Sequence, residues 1–155
     1  MAQSNLTIRH YSTFGTKDKN MEKIEIAAKC ENLPIVSQFI EERLEAAECP
    51  MKTQMQIDVA VEEIFINIAS YAYEGKEGMA EIFFDISKDN EAVITFKDSG
   101  IPYDPLAKED PDITLSVAER PIGGLGIYMV KMSMDGMKYE YKDGHNCLTL
   151  IKKLL

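Results

Sequence analysis

Apolar residues recur along the chain with two different periods, which divide it into strands and helices. Alternation predicts strands in the runs KIEIAA, AEIFFDIS and EAVITFKDSG, and a closing hairpin in MKYEYKDGHNCLTLIKKL. Helical spacing predicts helices at 33–49, 52–75 and 125–134, the second of them apolar around most of its circumference and therefore deeply packed. This order is typical of an α+β fold, a two-layer sandwich in which a mixed, mostly antiparallel sheet carries the helices on one face.

Two segments follow neither period. Residues 1–20 are polar and aperiodic, so we expect a flexible N-terminal tail before a single domain at 21–155. Residues 99–122 contain four prolines and mixed charges. A connection of that length inside a small domain is usually functional, which predicts a lid at about 99–122.

Composition narrows the classes of partner. The 155 residues include 26 acidic and 17 basic side chains, a net charge of -9, and no dense basic block offsets it. Direct binding to nucleic acid or to an anionic membrane depends on Lys and Arg and is therefore disfavoured. The three cysteines are widely spaced and form no CxxC pair, which favours a cytoplasmic location and argues against a zinc site. No apolar run is long enough to span a bilayer.

A polar pair interrupts the second predicted helix. Glu63 and Asn67 lie four residues apart and so share one face of an otherwise apolar segment. A solvated helix face is the simpler interpretation. The functional interpretation is that Asn67 offers a hard oxygen to Mg²⁺, which takes few protein ligands, while Glu63 orients or deprotonates a nucleophile nearby.

Asp98 extends the inward face of its strand, because it follows Ile94 and Phe96 with period two. The run Asp-Ser-Gly is also good turn chemistry, so the residue could simply end the strand. Alternatively, Asp98 accepts a hydrogen bond from the exocyclic amine of a purine, and Gly100 leaves room for the flat base.

The run ERPIGGLG at 119–126 precedes the third predicted helix. It matches neither a Walker loop nor a dinucleotide fingerprint, and its glycines alone could form an ordinary turn. The free N–H groups and the dipole at the start of the helix nevertheless favour an anion. Arg120 could add a charge-assisted contact to a terminal phosphate.

The runs EEIFIN, DSGIPYDP and GGLG, in this order, resemble the N, G1 and G2 boxes of the Bergerat-fold, or histidine-kinase-like, ATPases. Within that group the chain looks closest to the bacterial anti-sigma-factor serine-protein kinases, over roughly residues 22–153. Tyr71 departs from the histidine that the family often has at this position, which leaves the choice of partner open.

The resemblance implies a site for ATP and Mg²⁺. Glu63 stands at the catalytic base, Asn67 at the Mg²⁺ ligand and Asp98 at the acceptor for the adenine amine. The other matched positions are Gly100 beside the base, Gly124 and Gly126 at the phosphates, Arg120 as a lid arginine, and Thr149 behind the adenine.

The implied function is that of a protein serine/threonine kinase. It would phosphorylate a STAS-type anti-anti-sigma protein, hold a sigma factor inactive and form a homodimer. A histidine kinase fits poorly, because neither His10 nor His145 lies in a predicted helix or has an acidic neighbour. The alternative is a nucleotide-gated protein-binding module, in which ATP shapes a surface and phosphoryl transfer is slow or absent.

Overall fold

The computed structural model describes residues 7–10, 21–107, 109, 110, 112, 114 and 125–155. Six strands form one sheet in the order β1-β2-β3-β4-β6-β5. The strands are β1 (Thr7–His10), β2 (Glu22–Ala27), β3 (Met79–Ile86), β4 (Glu91–Asp98), β5 (Gly136–Lys142) and β6 (His145–Lys153). The helices are α1 (Leu33–Ala46), α2 (Met51–Asn67) and α3 (Leu125–Ser133). Within the described residues, every helix is too short or too polar to cross a membrane.

The predicted α+β sandwich is confirmed, with two corrections. Every neighbouring pair of described strands is antiparallel, so the sheet is not mixed. The predicted flexible tail at 1–20 is wrong for Thr7–His10, which pairs with β2 as the edge strand of the sheet. The strand was missed because four residues are too few for a strand period to stand out in a sequence. Its place in the sheet comes from backbone pairing with β2.

Strand β4 shows how the sheet faces the core. Its buried and half-buried positions alternate without interruption, and the buried set is Ala92, Ile94, Phe96 and Asp98. Burying a large apolar side chain such as that of Phe96 stabilises the fold by about 1.5–3 kcal/mol. Asp98 is therefore the last inward position of a strand whose other inward residues belong to the core.

Helix α2 is central, since it contacts α1 on one side and α3 on the other. Its buried residues include Ile57, Val61, Ile64 and Phe65, at the spacing of one helical face. The prediction that the whole helix is deeply packed is wrong, because its outer side leaves Met51, Met55 and Val59 exposed.

The C-terminal end of α2 is fastened to the end of β4. The helix continues as a π-helical turn, Ile68–Ala72, and the carbonyl of Ala72 accepts a 2.9 Å hydrogen bond from the N–H of Ile101. The hydroxyl of Tyr73 accepts from the N–H of Ser99 at 2.9 Å and donates to the carbonyl of Met79. These contacts fix the segment that follows Asp98 against the helix that carries Asn67.

A two-residue turn sets the register of the last hairpin. Asp143 and Gly144 both have positive φ, 54° and 79°, as the predicted hairpin turn requires. The turn joins Lys142 to His145, which are paired across β5 and β6. In the neighbouring ladder, β6 places Asn146 directly opposite Asp98.

Candidate functional site

A cavity of about 570 Å³ lies between α2, the segment after β4, strand β6 and the start of α3. Four of the predicted site residues line it: Glu63, Asn67, Asp98 and Gly126. Much of the remaining wall is apolar and comes from Ile64, Ile68, Phe96, Ile101, Ile127 and Leu148. An apolar slot with a few polar groups is the usual form of a small-molecule site.

Asp98 supplies a buried carboxylate to this cavity and is only 6 % exposed. Its Oδ1 atom accepts two hydrogen bonds, from the N–H of Gly100 at 2.9 Å and from the side-chain amide of Asn146 at 3.0 Å. The structure gives Oδ2 no partner among the described residues. One oxygen is therefore held by the protein, and the other is left to accept a hydrogen bond from a ligand.

Asn146, which the sequence did not single out, organises this end of the cavity. Its Nδ2 donates to Asp98 and, at 2.9 Å, to the carbonyl of Ile101. Its Oδ1 accepts from the N–H of Tyr103 at 3.0 Å and from the hydroxyl of Tyr139. These four bonds use the full hydrogen-bonding capacity of the amide. The Tyr139 hydroxyl is the donor because an amide oxygen can only accept, and burial raises the pKa of Tyr139 above its ordinary value.

A signal for Asn146 is present in the sequence. Asn146, Leu148 and Leu150 follow one another with period two in the last strand, and all three are buried. A polar residue in such a series needs partners, in the same way as Asp98 in β4. The partner could not be named from the sequence, because the register of β4 against β6 is a property of the folded sheet.

Thr149 does not lie where the resemblance puts it. It is three residues from Asn146, so its side chain is on the opposite face of the sheet from the cavity. Its hydroxyl forms a 3.0 Å hydrogen bond with that of Thr95, and it is absent from the cavity wall. The polar position beside Asp98 is held instead by Asn146.

Glu63 and Asn67 form the second polar group of the cavity. Both are half-buried, and Nδ2 of Asn67 donates to Oε1 of Glu63 at 3.3 Å. The pair is thus turned into the cavity, which argues against a purely solvated helix face. This bond uses the nitrogen of Asn67, so its carbonyl oxygen stays available as a hard ligand for a cation.

Gly126, the second residue of α3, lies against the carboxylate of Glu63. A Cβ atom at this position would overlap Oε1 and Cδ of Glu63. The missing side chain therefore lets the start of α3 approach the carboxylate directly. The backbone N–H groups at the start of a helix favour negative charge, such as that of the phosphates of a nucleotide.

Gly100 has a different role from the one that the sequence suggested. A Cβ atom there would overlap the backbone carbonyl of Ala72, at the end of the π-helical turn. The glycine thus permits the close approach of the segment after β4 to the end of α2. It does not itself line the cavity, although its N–H holds Asp98.

Arg120 and Gly124 lie outside the described residues. The same holds for much of the predicted lid, of which the structure describes 99–107 and residues 109, 110, 112 and 114. Within this part, Ile101, Tyr103 and Pro105 line the cavity. The beginning of the predicted lid therefore belongs to the wall of the site.

The protein-family model of the histidine kinase-like ATPase domain matches residues 26–152 of this sequence. The chain belongs to the histidine kinase-like ATPase domain family. The family predicted from the three motifs is therefore confirmed, and its match spans every residue of the cavity described above.

Two relatives of this chain bear the names of protein kinases. The serine-protein kinase RsbW of Bacillus cereus strain AH187 is 29% identical over 142 residues, which are 84% of each chain. The serine/threonine-protein kinase BtrW of Bordetella bronchiseptica is 25% identical over 99 residues, which cover 64% of this chain and 70% of that one. The predicted likeness to bacterial serine-protein kinases is confirmed.

Solved structures agree on the fold. The RsbU and RsbW domains of Rv1364c from Mycobacterium tuberculosis align with a TM-score of 0.59 at 15% identity, over 85% of this chain and 32% of that one. The histidine kinase domain of the blue-light-activated kinase from Erythrobacter litoralis EL346 aligns with a TM-score of 0.52 at 14% identity, over 94% and 66%. At these identities the likeness concerns the fold alone.

Proposed function

We propose that this protein is a cytoplasmic anti-sigma regulatory factor and an ATP-dependent protein serine/threonine kinase. It binds ATP with Mg²⁺, phosphorylates a STAS-type anti-anti-sigma protein and holds a sigma factor inactive. The observation that carries the proposal is the convergence of Glu63, Asn67, Asp98 and Gly126 on one cavity. The kinases RsbW and BtrW among its relatives support the choice of a protein acceptor.

The base of the nucleotide fits the end of the cavity near Asp98. The apolar wall, which includes Phe96 and Leu148, suits a flat aromatic ring. Oδ2 of Asp98 is an acceptor without a described partner, so a ligand with an amine donor satisfies it. A ligand with a carbonyl at that position would place two acceptors together, which selects adenine over guanine.

The phosphates fit the other end, where α2 meets α3. The carbonyl oxygen of Asn67 is one hard ligand for Mg²⁺, a cation that commonly takes one or two protein oxygens and keeps waters and phosphates. Mg²⁺ bound there would supply positive charge that offsets the negative charge of the phosphates. The start of α3 at Gly126 offers backbone N–H groups to the same charges.

Glu63 is the proposed base. The hydroxyl oxygen of a serine or threonine forms a bond to the terminal phosphorus, the bond from that phosphorus to the ADP oxygen breaks, and the hydroxyl proton passes to Glu63. The hydrogen bond from Asn67 orients the carboxylate. Most of the rate acceleration then comes from positioning and from neutralisation of phosphate charge, as in other phosphoryl transfers.

The test compares two neighbouring glutamates. The protein is incubated with labelled ATP, Mg²⁺ and a panel of anti-anti-sigma proteins, as the wild type and as Glu63→Gln and Glu62→Gln. We expect transfer to be lost in Glu63→Gln and kept in Glu62→Gln, because Glu62 is exposed and lies outside the cavity. ATP binding should survive in both variants.

Each other outcome has a definite meaning. If Glu63→Gln transferred phosphate at the wild-type rate, Glu63 would not be the base. Tight ATP binding by the wild type without label on any partner would favour the nucleotide-gated binding module instead. Failure to bind ATP at all would overturn the site.

A further inference from the structure

The outer sides of α2 and α3 carry an unusual set of exposed apolar side chains. Each of six residues exposes between 43% and 69% of its surface. Those on α2 are spaced by four residues, and those on α3 by four and three, so each set shares one side of its helix. We name them together the α2–α3 face: Met51, Met55, Val59, Leu125, Met129 and Met132.

The face differs from the rest of the helical layer. Scattered exposed apolar residues are ordinary on a monomer, but a larger exposed apolar patch marks an interaction site. Here α2 and α3 touch, and Val59, Leu125 and Met129 line one groove between them. Helix α1 provides the comparison within the same molecule, because its exposed positions include the polar residues Gln38, Glu42 and Glu45. The described residues of α2 and α3 thus depart from the pattern of a helix that faces only water.

A groove of about 320 Å³ runs between the two helices at this face. Glu63 and Gly126 line the groove, and both also line the larger cavity. The other groove residues are Val59, Ala60, Leu125, Met129, Val130 and Ser133. The groove therefore leads along an apolar surface to the carboxylate that borders the proposed phosphate site.

We infer that the α2–α3 face docks the phosphoacceptor protein, through an apolar segment next to its serine or threonine. The inference rests on the proposed function, which requires a protein hydroxyl to reach Glu63. A protein segment bound in the groove has one end at the carboxylate of Glu63. The groove therefore suits the protein whose hydroxyl is phosphorylated. A second copy of this chain or a sigma factor seated there would obstruct the approach of the acceptor to Glu63.

The side-chain chemistry of the face agrees with a protein partner. Four of its six residues are methionines. Methionine is unbranched and flexible, so it adapts to the apolar side chains of another protein. The acceptor should accordingly present aliphatic or aromatic residues beside its phosphorylated hydroxyl.

The test uses two positions of the face that line neither cavity, Met55 and Met132. The double variant Met55→Glu/Met132→Glu is compared with the wild type and with Gln38→Glu/Leu155→Glu. The control adds the same two negative charges at exposed positions outside the face. Five quantities are measured: the Kd for ATP, the KM and the kcat for a panel of anti-anti-sigma proteins, the affinity for these proteins without turnover, and the mass of the kinase in solution.

We expect the KM for the acceptor to rise at least about tenfold in the double variant, since buried apolar anchors dominate protein interfaces. The kcat and the Kd for ATP should stay within about twofold of the wild type, because the variant leaves the nucleotide site intact. Unchanged ATP binding also shows that the variant is folded. The control should match the wild type in every measurement.

Failure of this inference is distinguishable from failure of the proposed function. If the wild type transfers phosphate and the double variant keeps its KM, the docking face is wrong and the kinase assignment stands. If the wild type binds a partner but transfers nothing, the kinase assignment fails, and loss of that binding in the double variant still supports the face. A wild type that binds no partner overturns both. A dimeric wild type and a monomeric double variant would assign the face to a second copy and overturn the inference.

Discussion

The side-chain amide of Asn146 donates a 3.0 Å hydrogen bond to Oδ1 of Asp98. The N–H of Gly100 donates to the same oxygen, so the protein holds one side of the carboxylate and leaves the other to the ligand. Asn146 also holds Ile101 and Tyr103, at the beginning of the predicted lid. One amide thus fixes both the acceptor for the base and the loop that passes beside it.

Replacing Asn146 by leucine should weaken ATP binding. Leucine has a similar shape, but it removes all four hydrogen bonds and leaves Oδ1 of Asp98 with one donor. A buried polar group that loses a partner costs about 1–3 kcal/mol, so we expect the Kd for ATP to rise about tenfold or more, as measured by isothermal titration calorimetry. The control is Thr149→Val on the opposite face of the same strand, which should leave the Kd unchanged. A large effect of Thr149→Val would instead restore Thr149 to the site.

Asp98→Asn should change the choice of base. Its amide can keep its oxygen toward Gly100 and Asn146, which turns a nitrogen donor toward the ligand. The ligand amine of ATP then meets a donor, whereas the carbonyl of GTP meets a partner. We expect ATP affinity to fall by at least about tenfold and the ratio of ATP to GTP affinity to fall further, since unpaired polar groups dominate such discrimination. Competition between the two nucleotides for one fluorescent analogue measures the ratio, and an unchanged ratio would contradict the role of Asp98.

Gly126→Ala should lower the rate of phosphoryl transfer without lowering the stability of the fold. The new methyl group meets the end of the flexible Glu63 side chain rather than backbone, so the carboxylate moves and the helix remains. Alanine also favours the helical state over glycine by roughly 1 kcal/mol. We therefore expect an unfolding temperature at or above that of the wild type, together with a loss of phosphoryl transfer of about a hundredfold.

The matched control is Gly136→Ala in β5. Its Cβ atom would lie 3.5 Å from Ile151, which is ordinary van der Waals contact. This variant should transfer phosphate like the wild type. Equal activity of the two alanine variants would show that the approach of α3 to Glu63 is not needed.

Asp58→Asn should stabilise the protein at neutral pH. Burial, with a further contribution from the charge of Glu41, raises the pKa of Asp58 to about 6 from its ordinary 3.8, and its Oδ1 is buried without a described hydrogen-bond partner. The folded state thus prefers the protonated carboxyl, so the wild type loses stability as the pH rises from about 4 to about 6. Asparagine is uncharged throughout this range.

The expected gain of Asp58→Asn at about pH 7.5 is on the order of 1 kcal/mol, because solvent screens this partly exposed group. Urea unfolding at several pH values measures the gain, which should shrink as the pH falls through about 6 toward 4. Asp89→Asn, at an exposed position between β3 and β4, serves as the control. A gain that persists at low pH would point to a cause other than the charge.

The local patterns of the sequence predicted the parts of the site that one element determines by itself. Helical spacing brought Glu63 and Asn67 to one face, and strand alternation made Asp98 an inward residue. Asn146 required the pairing of β4 with β6, which joins residues 48 positions apart, and no local pattern contains that register. Thr149 was misplaced because a match to a family motif does not record which face of a strand the residue occupies.

The fold was predictable for a related reason. Its strands and helices are long enough for their periods to be visible, whereas β1, which pairs with β2, has only four residues. For β1 an ordered element was missed, whereas for the outer side of α2 too much burial was predicted. Apolar residues around most of a helix predicted burial, but Met55 and Val59 are exposed in this chain, and their burial would need a partner.

Glu63 borders both the nucleotide cavity and the groove of the α2–α3 face. Two ligands that share one carboxylate are thermodynamically linked, and the linkage is reciprocal. If bound ATP changes the affinity for the acceptor by some factor, the acceptor changes the affinity for ATP by the same factor. The acceptor would then change the affinity for the nucleotide as well as serve as a substrate, and its concentration in the cell would shift the ATP concentration at which the site fills.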